Sequence, residues 1–143
     1  MKIKVKKINR YAKLPEKAHE SDAAFDLVAT DIIYPHSMES GLYVDIGTGL
    51  SFEIPEGYAG FIFPRSSISS TRHSLRNCVG VIDPGYRGEI RMRFSIDDGP
   101  SAYMMGSRVA QVLFLKLPKI ELEESGALSD SERGEGGFGS TGK

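Results

Sequence analysis

The sequence predicts an all-β domain, either a barrel or a sandwich, and three observations support this class. Short runs of alternating apolar and polar residues recur along most of the chain, with turn residues between them. Almost no stretch has the 3.6-residue period of an amphipathic helix. The chain has 143 residues, of which 40% are hydrophobic, so it is long enough for one domain with its own core.

Strand candidates in the first half of the chain are short. The N-terminal one alternates Ile3 and Val5 with lysines, whose charge discourages pairing at a free sheet edge. Two alternating runs flank the turn Gly47-Thr48-Gly49, so we expect them to pair as a β-hairpin. After the N-terminal strand, the candidates cover residues 25–29, 32–34, 42–46, 50–54 and 59–63.

The second half contains one helix candidate, one tight turn and two further strands. The polar run from Ser66 to His73 has room for one helical turn or two. Proline presets φ and glycine tolerates positive φ, so Asp83-Pro84-Gly85 predicts a tight hairpin bend, which the alternating strand Glu89 to Phe94 leaves. The run from Val109 to Leu117 is apolar on both faces, as expected for a strand between two layers, and Gln111 interrupts it.

The composition of the chain changes from Lys119 onward. Glutamates are followed there by a stretch rich in serine and glycine, and little of it can join a hydrophobic core. We therefore expect a β domain over residues 1–122, followed by a flexible arm over residues 123–143.

Charge and cysteine content narrow the class of function. Eighteen basic and nineteen acidic residues nearly cancel, so we expect no nucleic-acid or membrane partner, and any anionic ligand must be held locally. The single cysteine, Cys78, excludes an intramolecular disulfide framework, and we expect it to be buried in an apolar strand. The sequence shows no bilayer-spanning run and no signal-peptide core, which predicts a cytoplasmic protein.

Five separated segments carry most of the residues that could do chemistry. They are Ser21 to Leu27, Pro64 to Ser70, Asn77 to Ile90, Gly106 to Gln111 and Arg133 to Gly142. In this order they resemble the motifs of the trimeric dUTP pyrophosphatases (dUTPases). The resemblance implies a β jelly roll, a homotrimer with active sites between subunits, and Mg²⁺-dependent hydrolysis of dUTP to dUMP and pyrophosphate. Such a reaction keeps uracil out of DNA and supplies dUMP for thymidylate synthesis.

The resemblance assigns the hydrolytic chemistry to two carboxylates. Asp83 would accept a proton from the water that attacks the α-phosphorus, as a general base. Asp26 would hold Mg²⁺ through coordinated water. On the residues alone, Asp83 could simply open a turn and Asp26 could be a solvated strand-edge carboxylate. Ala24 and Phe25 depart from the family's usual first motif, from which we expect altered packing beside a retained aspartate.

Other matched residues would bind the phosphates. Arg65, Ser66 and Ser67 would follow the phosphate oxygens with a guanidinium, hydroxyls and backbone amides, although many family members have glycine in place of Ser67. Gln111 resembles the glutamine that lies near the phosphates and the catalytic water, and structural satisfaction alone could also explain it. For Arg108, a structural ion pair and a phosphate-side role remain open.

The base and the sugar are assigned to the third motif and to the arm. The hairpin from Asn77 to Tyr86 would present backbone groups to the edge of uracil, and Tyr86 would stack on the deoxyribose. In the arm, Phe138 would fold onto the base. The remaining assigned residues are Gly80, Val81 and Ile82 for the uracil, and Arg133, Gly139, Ser140 and Thr141 for the phosphates.

Three alternatives remain open from the sequence. The related dCTP deaminases, including bifunctional deaminase/dUTPases, share Arg-Ser-Ser and Ile-Asp-Pro-Gly fragments, but this chain has Tyr86 in place of their usual tryptophan and an intact C-terminal arm. A nucleotide-binding regulatory protein with little hydrolysis would use the same pocket. A purely structural jelly roll would leave the arm motif unexplained.

Overall fold

A computed structural model describes residues 1–34, 43–96 and 103–137 of the chain. Within these ranges nearly all regular structure is β-strand, with one short 3₁₀ helix at Ser66–Ser70. No helix in this part of the protein is long and apolar enough to cross a membrane. The strands are β1 (Lys4–Lys7), β2 (Phe25–Val28), β3 (Asp31–Ile33), β4 (Tyr43–Gly47), β5 (Leu50–Glu53), β6 (Tyr58–Pro64), β7 (His73–Leu75), β8 (Gly80–Ile82), β9 (Arg91–Ile96) and β10 (Arg108–Lys116).

Two four-stranded antiparallel sheets make up most of the fold. One has the order β2-β10-β6-β8 and the other the order β3-β4-β9-β7, while β1 and β5 form a separate pair. The alternation of the sequence explains the core, because one face of each strand turns inward. In β9, for example, the buried Met92, Phe94 and Ile96 alternate with two arginines and a serine that are more exposed. Inward residues of both sheets join one hydrophobic cluster, which confirms the predicted all-β jelly roll.

The hairpin predicted around Gly47-Thr48-Gly49 is wrong. Strand β4 pairs with β3 and β9, whereas β5 pairs with β1, so the chain crosses here from one sheet to another. Gly49 has φ +64°, which suits an abrupt change of direction, and its amide donates to Glu89 Oε1 at 2.8 Å. The Thr48 hydroxyl donates to the carbonyl of Ile90 at 2.8 Å. These hydrogen bonds to Glu89 and Ile90 stabilise the crossing, in which β4 and β5 do not pair with each other.

The tight turn at Asp83-Pro84-Gly85 is present, but the hairpin predicted around it is wrong. The Tyr86 amide donates to the Asp83 carbonyl at 3.1 Å, which closes the turn. Strand β8 pairs with β6, whereas β9 pairs with β4 and β7, so the strands on either side belong to different sheets. The returning chain bonds instead to the first crossing, since the Ile90 amide donates to the Leu50 carbonyl at 2.8 Å.

Three smaller expectations have mixed outcomes. The helical turn is confirmed at Ser66–Ser70, and His73 already belongs to β7. The burial predicted for the last strand holds for its first half only, since Leu115 is 45% exposed. Cys78 is exposed, contrary to expectation, because it lies in the turn between β7 and β8. Leu42, at the start of a predicted run, lies outside the described residues.

The chain beyond β10 forms neither strand nor helix as far as residue 137. Its apolar side chains are exposed, with Leu122 at 93% and Leu128 at 90%. The side-chain hydrogen bonds seen there are local, such as the one from Ser125 Oγ to the Ala127 carbonyl at 2.6 Å. The boundary drawn after residue 122 stays a prediction.

Candidate active site

Most of the predicted site residues that the structure describes line two separate clefts of the single chain. The first cleft has a volume of about 420 Å³ and contains the metal-side and phosphate-side candidates. The second has a volume of about 670 Å³ and contains the base-side and sugar-side candidates. The first cleft is lined by Asp26, Arg65, Ser66 and Gln111. The second is lined by Asn77, Val81, Ile82, Asp83 and Tyr86.

The first cleft is built where β2, β10 and β6 lie side by side. Gln111 of β10 lies opposite Asp26 of β2 in the register, and Arg65 follows directly after the end of β6. Asp26 Oδ1 accepts from Arg65 Nε at 2.7 Å, and Oδ2 accepts from Arg108 Nη1 at 3.0 Å. Gln111 Nε2 donates to the Pro64 carbonyl at 3.0 Å. The sheet register thus brings together one carboxylate, two guanidiniums and an amide.

The two serines of this region begin the 3₁₀ helix. Ser66 lines the first cleft, and both Ser66 and Ser67 are exposed. The Ser66 carbonyl accepts from Ser69 Oγ at 2.8 Å, which helps to close the turn. Their backbone and hydroxyl groups are therefore presented beside the arginine at the end of β6.

Asp26 was the predicted contact for Mg²⁺, and its surroundings fit a contact through water. The carboxylate is 15% exposed and accepts one N–H from each of two arginines. A carboxylate has roughly four acceptor sites, so about two remain for hydrogen bonds from metal-bound water. Among the described residues no group of three or more His, Cys, Asp or Glu side chains could hold a metal by itself. A magnesium ion here would therefore depend on phosphate oxygens, as Mg²⁺ commonly does.

The second cleft is formed by the segment that leaves β8 and enters β9. Asp83 is exposed at the start of the tight turn. Tyr86 is 45% exposed, and its hydroxyl donates to the Glu89 carbonyl at 3.0 Å. Gly88 lies under the phenol ring, where a Cβ would overlap Tyr86 Oη. Val81 is 56% exposed, so the cleft has an apolar surface beside the carboxylate.

Close packing of the backbone fixes β8, the strand that leads into this segment, against β6. Gly80 is buried, and a Cβ there would lie 3.3 Å from the Ile62 side chain of β6. Asn77 is exposed at the turn that precedes the strand. The small residue thus lets β8 lie close to its neighbour, with Val81 and Ile82 at the cleft.

A charged network that the sequence did not predict lies at the edge of the second cleft. Arg91 Nε donates to Asp45 Oδ1 at 2.6 Å, Nη2 donates to Asp31 Oδ2 at 2.8 Å, and Nη1 donates to Glu89 Oε2 at 2.8 Å. Burial alone would lower the pKa of the Arg91 guanidinium, but its hydrogen bonds to these carboxylates outweigh burial and raise that pKa. The only signal in the sequence was that charged and apolar residues alternate from Glu89 to Arg93. This pattern does not show that the partners of Arg91 lie on β3 and β4.

The arm candidates are only partly described. Arg133 is exposed, its Nε donates to the Gly136 carbonyl at 2.9 Å, and it lines neither of the two clefts in the single chain. Phe138, Gly139, Ser140 and Thr141 lie outside the described residues.

Comparisons with known proteins agree with one another. A family model described as dUTPase matches residues 10–142. The chain is 40% identical over 146 residues to the deoxyuridine 5'-triphosphate nucleotidohydrolase of Clostridium tetani, covering 99% of this chain and 97% of that protein. It is 37% identical over 147 residues to the protein of the same name from Thermobifida fusca, covering 99% and 79%.

Solved structures show the same fold. A mutant dUTPase of Staphylococcus bacteriophage 80alpha, solved with dUpNHpp, matches with a TM-score of 0.83 and 27% identity over 99% of both chains. A mutant dUTPase from phage phi11 of S. aureus, whose structure concerns the coordination of a structural Mg(II) ion, matches with a TM-score of 0.72 and 22% identity. It covers 89% of this chain and 98% of that one, and at this identity the likeness concerns the fold alone.

Proposed function

Because this chain belongs to the dUTPase family, we propose that it hydrolyses dUTP to dUMP and pyrophosphate with Mg²⁺ as cofactor. One observation carries the proposal: in a chain that matches these enzymes over 99% of its length, Asp83 is an exposed turn carboxylate in the second cleft, and Asp26 beside the first cleft is bonded to two arginines. A cytoplasmic setting, expected from the sequence, belongs to the same proposal.

Asp83 is proposed as the general base. Hydrolysis of a phosphoanhydride needs an activated water in line with the leaving group and little covalent work from the protein. The carboxylate is exposed, and the turn that holds it is closed through its main-chain carbonyl, so the side-chain oxygens are not needed for the turn. A positioned general base typically contributes about 10²–10⁴-fold to the rate.

The first cleft is proposed to bind the triphosphate, together with Arg108, which lines a neighbouring cleft that shares Asp26. Each guanidinium has five N–H donors, and the bonds to Asp26 seen here use one from Arg65 and one from Arg108. Other N–H groups of Arg65 and Arg108 can then bond phosphate oxygens, which arginine does well because its donors are charged and planar. Mg²⁺ would neutralise phosphate charge when bound, with Asp26 contacting it through water. Gln111 and the serines at residues 66 and 67 would complete the polar lining.

The second cleft is proposed to select the uracil. Uracil offers a donor at N3 between acceptors at O2 and O4, whereas cytosine presents the reverse polarity at two of these positions. Backbone groups of the Asn77–Tyr86 segment cannot reverse in response, so cytosine would leave buried polar groups unpaired. Each such loss costs roughly 1–3 kcal/mol, enough for strong discrimination when two occur together. Thymine must instead be rejected sterically, because it differs by one methyl group.

We propose that Tyr86 reads the sugar. Its ring is exposed in the second cleft and held by its hydroxyl bond to the Glu89 carbonyl, as a stacking platform requires. Tyr86→Ala should therefore lower the ratio of kcat/KM for dUTP to kcat/KM for UTP by at least roughly tenfold. Tyr11→Ala removes another exposed tyrosine, one that does not line this cleft, and should leave the ratio unchanged. An unchanged ratio in Tyr86→Ala would mean that the sugar is read elsewhere.

The complete site is proposed to form between subunits of a homotrimer. In the single chain the base-side and phosphate-side residues line different clefts, so two copies could each supply one half. The arm from residue 123 would close over the nucleotide bound to neighbouring copies. The exposed apolar residues Ile120, Leu122 and Leu128 fit this proposal, because another chain could cover them.

The decisive experiment measures pyrophosphate release from dUTP, dCTP, dTTP and UTP, each with Mg²⁺ and with a chelator. We expect release from dUTP alone, and its loss when Mg²⁺ is removed. Ammonia release from dCTP would favour the deaminase or the bifunctional enzyme. Tight dUTP binding without pyrophosphate would favour the regulatory protein.

A further inference from the structure

Glu89 connects the segment that carries Asp83 and Tyr86 to a distant part of the chain. Its Oε1 accepts from the Gly49 amide at 2.8 Å, and its Oε2 accepts from Arg91 Nη1 at 2.8 Å. Its main-chain carbonyl accepts from the Tyr86 hydroxyl at 3.0 Å. One residue therefore bonds the sheet crossing at residue 49, the charged network and the tyrosine ring.

The partners of Glu89 are themselves fixed. Arg91 also bonds Asp31 and Asp45, and the side chains of Glu89 and Arg91 are only 24% and 29% exposed. Such partly buried charged hydrogen bonds are stronger than exposed ones. A Cβ at Gly47 would overlap Asp31 Oδ1 and Arg91 Nη1, so the glycine leaves the space in which this network forms.

The backbone beside Glu89 is bonded to the same crossing. Ser51 Oγ donates to the Arg87 carbonyl at 2.6 Å, and the Ile90 amide donates to the Leu50 carbonyl at 2.8 Å. The phenol ring of Tyr86 packs against Gly88, and its hydroxyl donates to the Glu89 carbonyl. The orientation of the ring therefore depends on the position of residues 88 and 89.

From this geometry we propose that Glu89 is a positioning residue that sets the orientation of the Tyr86 ring and thereby the preference for a deoxyribose over a ribose. The inference rests on the proposed function, because it concerns the same nucleotide site. Glu89 also lines the second cleft, but the role proposed for it is to position Tyr86 and not to contact the nucleotide. It acts on the sugar only through the ring whose hydroxyl its carbonyl accepts.

Replacing Glu89 with glutamine tests the proposal. The carboxylate accepts from two sides, whereas an amide has only one oxygen, so its NH₂ group must face either the Gly49 amide or Arg91. The NH₂ group of the glutamine would then face another N–H donor, either that of Gly49 or that of Arg91, and residue 89 would shift. We expect Glu89→Gln to lower the dUTP/UTP affinity ratio by about tenfold, since small misplacements have effects of this order or larger.

The ratio is best measured as equilibrium binding by calorimetry without Mg²⁺, so that turnover is not required. Glu53→Gln is the matched control, because it changes a half-exposed glutamate whose ion-pair partner is Lys4 on β1. Gly88→Ala, which displaces the Tyr86 ring directly, should lower the ratio as Glu89→Gln does. Should Glu89→Gln fail to fold, Glu89→Asp keeps the charge, cannot reach both partners, and should show the same loss.

A folded Glu89→Gln or Glu89→Asp protein with the wild-type dUTP/UTP affinity ratio would overturn the inference, and so would a wild-type protein that binds both nucleotides equally. A change in melting temperature without a change in the ratio would show a merely structural role, and would overturn it as well. Pyrophosphate release from dUTP, measured separately, tests the proposed function. A protein that discriminates in binding but never hydrolyses would refute hydrolysis and leave the role of Glu89 intact.

Discussion

Asp83→Asn should lower kcat for dUTP by at least about 10²-fold while leaving dUTP binding largely intact. Asparagine has nearly the same shape, and the turn is closed by the main-chain carbonyl of residue 83, so the fold should not change. The amide cannot take a proton from water at neutral pH, and this removes the general base. The measurement is single-turnover hydrolysis with saturating enzyme, accompanied by calorimetric affinity for dUTP.

A second turn carboxylate provides the control for this experiment. Glu56 is exposed in the turn between Pro55 and Gly57, away from both clefts, so Glu56→Gln should keep wild-type turnover. Near-normal kcat in Asp83→Asn would remove Asp83 from the mechanism. A parallel loss of dUTP affinity would instead indicate a role in binding.

Ending the chain after Ser131 should lower kcat/KM for dUTP by roughly 10²-fold or more, while the chain stays folded and the proposed trimer is retained. The truncation removes Arg133 and the proposed contacts from Phe138 onward, which would otherwise exclude water from the bound nucleotide. The fold should survive, because the hydrogen bonds seen within residues 131–137 stay inside that segment, such as the one from the Gly134 amide to the Ser131 carbonyl at 3.1 Å.

This truncation needs measurements of activity, size and melting temperature together. A chain that lacks only Lys143 is the control, because the family match ends at residue 142. Wild-type kcat/KM in the longer truncation would refute the closing arm. A monomeric product would mean that the removed residues hold the subunits together rather than cover the site.

The strands were predictable because their signal is local. Alternation in residues such as Met92, Phe94 and Ile96 records which face is buried, and this needs no knowledge of the partner strand. The two hairpins were not predictable, because a glycine turn suits both a return and a crossing. At the crossing the Gly49 amide bonds to Glu89, forty residues away in the sequence, and the local sequence does not reveal this partner.

The candidate site was likewise predictable only where the signal lies in neighbouring residues of the sequence. Each predicted motif could be recognised from its own residues, and several of them do share a cleft. The Arg91 network could not be recognised, because its carboxylates lie on β3, β4 and the loop before β9. The residues of this network are brought together by the register of the sheet β3-β4-β9-β7, and residue types alone do not specify that register.

The two sheet crossings bond to each other, with the Thr48 amide donating to the Ile90 carbonyl and the Ile90 amide donating to the Leu50 carbonyl. The loop that bears Asp83 leaves β8 of one sheet and enters β9 of the other, and these bonds join its end to the crossing between β4 and β5. Because the loop continues into a strand of each sheet, we expect loosening of either sheet to displace Asp83, which links the stability of the interior to the placement of one surface carboxylate.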